Sequence, residues 1–342
     1  MSNATKAAVL TAPRRFEVAE RPAPRPGPRE AMVRVGATAI CHTDLSIYTG
    51  QHPGVRYPVV LGHEAAGVVE AVGPDATITA GTRVVINPVI SCHACDCCLR
   101  GDEHLCRRAG LFGRELDGSL SGRVVLQERY LHPVPAGIDL ARATLIETLA
   151  TVRHAQERVR ISPGDAVVIL GQGTSGLLHT RLARLAGASP LIGVSRSAWK
   201  RERAARMGAD AAIDPTGDAV AEVLALTGGH GADLVIDTAG DPRLMKPALD
   251  MLRPGGTFLS YAISHEPVPD FTIFPMYFKE VTLVGSRALR SGDFGPCIRL
   301  VASGAIDLDG FVTRSYPLEQ TAAAFDDYER EPGRVLRIVI ES

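Results

Sequence analysis

Two groups of residues have the types and spacing to do chemistry. Cys92, Cys95, Cys98 and Cys106 follow one another with two, two and seven residues between them. Four thiolates in so short a loop enclose one zinc ion tetrahedrally and leave no position for substrate, so the expectation is a structural metal. Cys97 breaks the even spacing and is expected to point away from the metal. Five of the seven cysteines fall in this run, a clustering that favours metal over disulfides. Cys297, among Ile298, Leu300 and Val301, reads as core. The second group is Gly171-Gln172-Gly173-Thr174-Ser175-Gly176. Here the first glycine permits a tight turn, the second admits a pyrophosphate to the backbone, and the third lets helix pack on strand.

The elements that position these residues follow from the apolar pattern. Val167 to Leu170 is a continuous apolar run, and Leu178, Leu182 and Leu185 recur at helical spacing before Gly187. Strand, turn and helix are therefore expected, with the helix N-terminus offering N–H groups to an anion. Further strands are read at Leu191–Val194, Ala211–Ile213, Leu234–Ile236, Thr257–Tyr261 and Val281–Val284. Helical patterns lie between them, including Pro242 to Leu252. This alternation implies a doubly wound parallel sheet. Before residue 148 the chain reads as short strands and turns, with a proline-rich loop from Arg21 to Pro28 and a turn at Asp117-Gly118-Ser119. Thr43 or Asp44 is placed to cap a short helix. After residue 284 a helix from Phe294 to Ser303 and a strand from Val335 to Ile340 are expected.

Composition excludes several classes. The 342 residues are 45% hydrophobic with a formal net charge of −1, ample for a globular core. They form no basic run of the kind nucleic acid or an anionic membrane selects. No apolar run is long enough to span a bilayer, and the first ten residues lack a signal-peptide core. The expectation is a cytoplasmic protein with a small-molecule substrate. A zinc-ribbon nucleic-acid binder built on Cys92–Cys106 is the remote alternative.

Taken with Cys41 upstream, the ordered motifs Gly62-His63-Glu64-x2-Gly67-x5-Gly73, the four-cysteine lobe and the glycine-rich turn resemble the zinc-containing medium-chain dehydrogenase/reductase superfamily, in its alcohol, polyol and threonine dehydrogenase branch. The resemblance spans essentially the whole chain. It implies an α/β protein: a GroES-like, β-rich catalytic domain from residues 1–147 and 285–342, carrying the zinc lobe at 88–110, and a Rossmann domain at 148–284. It also implies a homodimer or homotetramer. A metal-free enoyl-type reductase of the same superfamily is disfavoured by Cys41, His63 and both zinc patterns.

A catalytic zinc takes three protein ligands and keeps one position open. By resemblance Cys41, His63 and Glu147 form that set, with Glu64 as a nearby or exchanging ligand, or as one side of a salt bridge. Asp44 orients His63. Thr43 relays the alcohol proton or caps the helix, and both roles can hold. Ser46 stands where many relatives continue the relay through histidine. His42 and Arg337 match positions that touch the pyrophosphate. Ser46, Tyr48, Leu111, Phe112 and Tyr261 are candidates to line the pocket.

Cofactor preference is read from the end of the second strand of the parallel unit. NAD enzymes place a carboxylate there for the ribose 2′-OH. This chain has Ser195 followed by Arg196, Lys200 and Arg201, which suit a 2′-phosphate. The implied activity is interconversion of a secondary alcohol of polyol, sugar or cyclitol type with its ketone. It would use two zinc ions per chain and NADP(H), the alternative being an NAD(H)-dependent simple alcohol dehydrogenase.

Overall fold

The computed structural model describes residues 4–342; residues 1–3, at the head of the expected first domain, lie outside it. The chain divides into two compact units, one comprising residues up to Ala150 together with Leu289–Ser342, the other Thr151–Ala288. Both chain ends belong to the first unit, because the C-terminal strand Arg337–Glu341 pairs antiparallel with Glu30–Ala39.

The second unit is built on a six-stranded parallel sheet in the order Ala211–Ile213, Leu191–Val194, Val167–Leu170, Ala232–Asp237, Leu252–Ser260, Thr282–Gly285. The strand Val167–Leu170 is buried throughout, as a parallel strand covered on both faces must be. Successive side chains alternate between faces, so Val168 and Leu170 enter one core and Val167 and Ile169 the other. Strand order reverses at Val167–Leu170, and the glycine-rich turn leaves from the end of this strand. That is the switch point at which open α/β sheets bind ligands.

The first unit contains a three-stranded sheet and a seven-stranded sheet, mostly antiparallel. Glu30–Ala39 is the hub of the larger one, pairing with Glu64–Val72, Arg123–Gln127 and Arg337–Glu341. The cysteine lobe rises from a two-stranded ribbon in which Val89 and Ile90 pair with Leu111 and Gly110.

Several boundaries differ from the sequence reading. The strand expected at Thr257 begins at Leu252, with a bulge across Pro254-Gly255-Gly256, where Gly255 takes φ +72°. The helix expected from Pro242 is a short 3-10 turn, Pro242–Leu244, followed by Met245–Met251. The helix expected from Phe294 begins at Ser291 and ends at Ala302, with the Asp293 side chain bonded back to the Arg290 N–H. Among the described residues no helix is long and apolar enough to cross a membrane.

Candidate functional site

The first centre is assembled by a helix N-terminus and a strand start. Cys41 is the N-cap of the helix His42–Tyr48, and Asp44 in its first turn accepts from the Cys41 N–H at 2.9 Å. Neither Thr43 nor Asp44 is the cap, contrary to expectation: Thr43 lies inside the first turn, so a capping role does not occupy its hydroxyl. The other oxygen of Asp44 accepts from Gly62 N–H at 3.2 Å and lies 3.3 Å from His63 Nδ1. One buried carboxylate thus fixes the helix, the Gly62 turn and the imidazole. The turn needs glycine: its φ is +96°, and a Cβ would come within 2.8 Å of both Thr38 and Ser119.

Cys41, His63 and Glu64 each aim a ligand atom into one region, these atoms lying within 4.8 Å of one another. Glu64 is 1% exposed. Its Oε1 accepts from Arg337 Nη2 at 2.6 Å, while its Oε2 is buried with no hydrogen-bond partner. A buried carboxylate oxygen left unpaired is costly unless a cation takes it. Thiolate, imidazole and carboxylate are the mixed donor set that zinc accepts. The residues therefore fit a metal, with Glu64 in the trio.

Glu147 lies outside the cluster in which Cys41, His63 and Glu64 bring their ligand atoms together. It is buried near the end of the first unit, and its pKa is raised to about 8, first by burial and then by Glu64. Burial works against a charged His63, but Asp44 and Cys41 outweigh it and raise that pKa.

Arg337 also departs from expectation. It is 5% exposed and bonds Glu64, Thr148 Oγ1 at 3.1 Å and Tyr328 Oη at 3.4 Å. Its guanidinium is a partner of the Glu64 carboxylate rather than a surface cation waiting for pyrophosphate. Thr148 and Tyr328 carry no motif and escape a reading by spacing. The sole signal is an arginine at the start of an apolar terminal strand. His42, exposed on the first turn of its helix, stands edge-on to Tyr328 at 6.4 Å. The Ser46 hydroxyl donates to the Thr43 carbonyl at 2.8 Å. Tyr48 is core, its hydroxyl bonded to Asp326, and Phe112 is buried among the strands, so neither is free to line a pocket as expected.

The second centre gathers Cys92, Cys95, Cys98 and Cys106. Four of their Sγ–Sγ separations are 3.5, 3.5, 3.8 and 4.0 Å. A tetrahedral zinc with Zn–S near 2.3 Å requires edges of about 3.8 Å, so these residues also fit a metal. Backbone amides of Cys98 and Arg107 lower the Cys95 thiol to about 6, whereas burial and the other thiols push Cys98 up to about 12. Cys97 stays outside the four, with the Arg100 guanidinium 3.7 Å from its sulfur. Cys297 is fully buried.

In the second unit Gly171 has φ +88°, and a Cβ at Gly176 would sit 2.0 Å from the Gly171 carbonyl oxygen. A Cβ at Gly173 would meet no protein atom within 4 Å, so nothing in the chain's own packing demands glycine there. Gly173 is the N-cap of the helix Thr174–Leu185, which puts Thr174 and Ser175 in the first turn. These features fit a dinucleotide whose pyrophosphate approaches that backbone. Gln172, absent from the motif reading, is buried behind the turn and accepts from Thr180 Oγ1 at 3.0 Å.

At the end of Leu191–Val194, Ser195 Oγ faces the Ser197 N–H at 3.4 Å, and Arg196 is exposed. The Arg196 guanidinium makes no hydrogen bond or ion pair among the described residues. Lys200 is more buried, which lowers its pKa. Arg201 is committed elsewhere, to the Ser195 and Arg196 carbonyls at 2.7 and 3.0 Å and to Asp214 at 2.8 Å. These contacts, all through Nη1, tie Arg201 to the loop that carries Ser195 and Arg196.

Comparison with known proteins agrees with this chemistry. Residues 27–136 match the alcohol dehydrogenase GroES-like domain and residues 176–303 the zinc-binding dehydrogenase family. A sorbitol dehydrogenase of Halalkalibacterium halodurans is 31% identical, with 95% of each chain covered. A 2-dehydro-3-deoxy-L-galactonate 5-dehydrogenase of Pseudoalteromonas atlantica is 33% identical over 93% of each. A chain from Sinorhizobium meliloti 1021, assigned to the zinc-binding dehydrogenases and solved bound to NADP, superposes with a TM-score of 0.90 at 31% identity and full coverage of both.

Proposed function

The chain belongs to the zinc-containing medium-chain dehydrogenases, and we propose that it interconverts a secondary alcohol of polyol or sugar type with its ketone, preferring NADP(H). The observation that carries the reading is the trio of half-buried Cys41 and buried His63 and Glu64, with Glu64 Oε2 unpaired. These three would hold a zinc ion, which when bound acidifies an alcohol oxygen as a Lewis acid. A nicotinamide cofactor whose pyrophosphate is held at Gly171–Gly176 would supply the hydride exchange. The second zinc belongs to Cys92, Cys95, Cys98 and Cys106.

The chain's own residues orient and move the proton. Asp44 holds the His63 ring through Nδ1, leaving Nε2 as the ligand atom. Thr43 Oγ1 lies two residues from Cys41, makes no hydrogen bond among the described residues, and takes the proton the alcohol loses. Ser46 does not continue that route, because its hydroxyl proton is given to the Thr43 carbonyl; the proton leaves through water or the cofactor ribose. His42 is proposed as a pyrophosphate contact.

Support for NADP(H) is the absence of a carboxylate at Ser195 and the unpaired Arg196 guanidinium, with Lys200 nearby. One charge-assisted contact to a 2′-phosphate is worth about 1.5–3 kcal/mol, or roughly 10–100-fold in preference. Self-association is supported by an exposed apolar row, Ile273, Phe274, Tyr277 and Phe278, beside the edge strand Thr282–Gly285. The test is a panel of secondary alcohols, polyols, sugars and cyclitols, each assayed with both cofactors. NADP-dependent oxidation of a polyol is expected. Turnover with NAD alone would overturn the cofactor assignment, and no turnover of any member with either cofactor would overturn the activity.

A further inference from the structure

We propose that a groove beside the metal-ligand strand anchors an anionic group of the substrate, a carboxylate or a phosphate carried by the sugar alcohol. This rests on the activity proposed above and narrows its substrate class. The groove, about 370 Å³, is lined by Arg56, Val59, Arg114, Glu115, Leu116 and Asp117 among others. It holds two cations and two anions, but the anions are already spent. Glu115 accepts from the Leu111 N–H and from Arg114 Nε, both at 2.7 Å. Asp117 accepts from the Val60 N–H at 2.9 Å and from Arg21 Nη1 at 2.7 Å.

The guanidinium groups are not spent. Arg114 pairs with Glu115 through Nε alone, and its terminal nitrogens make no hydrogen bond among the described residues. Arg56 has no hydrogen bond or ion pair at all among the described residues. Two unfilled guanidinium forks in one cleft match the planar, multidentate geometry of carboxylate and phosphate oxygens. A neutral polyol offers them nothing comparable.

The groove is tied to the metal trio by backbone. Gly118 N–H donates to Val60 O, Leu120 N–H to Leu61 O and Ser119 N–H to Gly62 O, at 2.8 to 3.0 Å. The wall carrying Leu116 and Asp117 is thus stitched to the segment that runs directly into His63 and Glu64. His63 is four residues along the chain from Val59, a span of at most about 14 Å even in a fully extended chain. On this proposal an anion held in the groove belongs to the same substrate whose hydroxyl meets the trio.

The experiment compares a neutral polyol, its aldonate and its terminal phosphate in the wild type, Arg56→Gln and Arg114→Lys. One anionic substrate is expected to exceed the neutral one in kcat/KM. In both variants that ratio should fall about 10–100-fold, through KM. Whether aldonate or phosphate leads identifies the group the groove takes. Equal wild-type efficiency on all three, or a ratio unmoved in both variants, overturns the groove while leaving the activity intact. If the wild type oxidises none of the three, the activity fails, and titration with inorganic phosphate decides the groove separately. Binding lost in Arg56→Gln supports it, and no binding, or binding unchanged in the variant, refutes it.

Discussion

The three glycines of the dinucleotide loop are expected to respond differently to the same added methyl group. At Gly176 the new Cβ would lie 2.0 Å from the Gly171 carbonyl oxygen, where ordinary contact begins at 3.4 Å. Helix and strand must then part by more than an ångström, and overpacking of this kind costs about 1–3 kcal/mol or more. Gly171 meets both a positive φ and Thr238 Oγ1 at 2.9 Å, so its change to alanine should also be destabilising. At Gly173 the methyl group meets no protein atom within 4 Å, and the penalty is only that of a poorer N-cap, roughly 0.5–1 kcal/mol. What Gly173→Ala obstructs is a ligand. Loss of one or two charge-assisted contacts from the pyrophosphate corresponds to roughly 10–100-fold in affinity. Thermal unfolding without cofactor, paired with calorimetric titration of NADP, separates the cases. Gly176→Ala should unfold several degrees lower. Gly173→Ala should unfold near the wild type and bind NADP weakly. Wild-type NADP affinity in Gly173→Ala would show that the pyrophosphate does not approach this backbone, and the assignment of the loop would fall.

Three further outcomes are expected. Metal analysis should find two zinc ions per chain in the wild type. Cys95→Ser should lose one of them together with stability, and His63→Ala should stay folded but turn over no substrate; one zinc in the wild type, or an active His63→Ala, contradicts this. Thr43→Val should lower kcat by about 10²–10⁴-fold where chemistry limits the rate, with cofactor affinity unchanged; an unaltered kcat removes the proton role from Thr43. His179 is fully buried, and burial lowers its pKa to about 3 from an ordinary 6.5. Because its folded pKa is depressed, its neutral form contributes stability that is present above about pH 6.5 and is lost as pH falls toward 3. At about 1.4 kcal/mol per unit, that loss is on the order of several kcal/mol. His179→Asn, which keeps an acceptor for Gln156, should flatten stability against pH between 6.5 and 4; an unchanged slope would show that His179 is not the group responsible.

The parallel unit was legible because each of its strands is a short apolar run between glycine-rich turns, and burial on both faces leaves little freedom in where such a run can sit. Its misread boundaries fall where local residues mislead. Pro254-Gly255-Gly256 has the composition of a turn yet forms a bulge within the strand that pairs with Ala232–Asp237 on either side of it. The cysteine lobe was legible for another reason: its four ligands lie within fifteen residues, so spacing alone dictates geometry. The N-cap was misassigned because Thr43 and Asp44 are better cap formers by type than Cys41. What decided the matter was the Asp44 carboxylate, bonded at once to the Cys41 N–H, the Gly62 N–H and His63.

The metal trio was only half legible, and charge explains why. Cys41 and His63 stand out by residue type, but the choice between Glu64 and Glu147 depends on Arg337, which is 273 residues from Glu64 in sequence. Spacing carries no information about such a partner. In the fold, Asp44, Glu64 and Glu147 are each at least 94% buried, and Arg337 is the one buried arginine bonded to them, through Glu64. Glu147, raised to about 8, is mostly uncharged at neutral pH; with Cys41 as thiolate and His63 neutral, as metal ligands must be, Asp44, Glu64 and Cys41 still outweigh Arg337 in a region where each uncompensated charge costs several kcal/mol. A divalent cation coordinated by Cys41, His63 and Glu64 restores the balance, and Arg337 decides how it does so. By taking Oε1 it turns Oε2 toward the trio, whereas Glu147 has no such partner to aim it. Arg337→Met should therefore lower the affinity of this centre for zinc while leaving the four-cysteine centre loaded. Equal loss of both metals, or of neither, would show that Arg337 serves the fold alone.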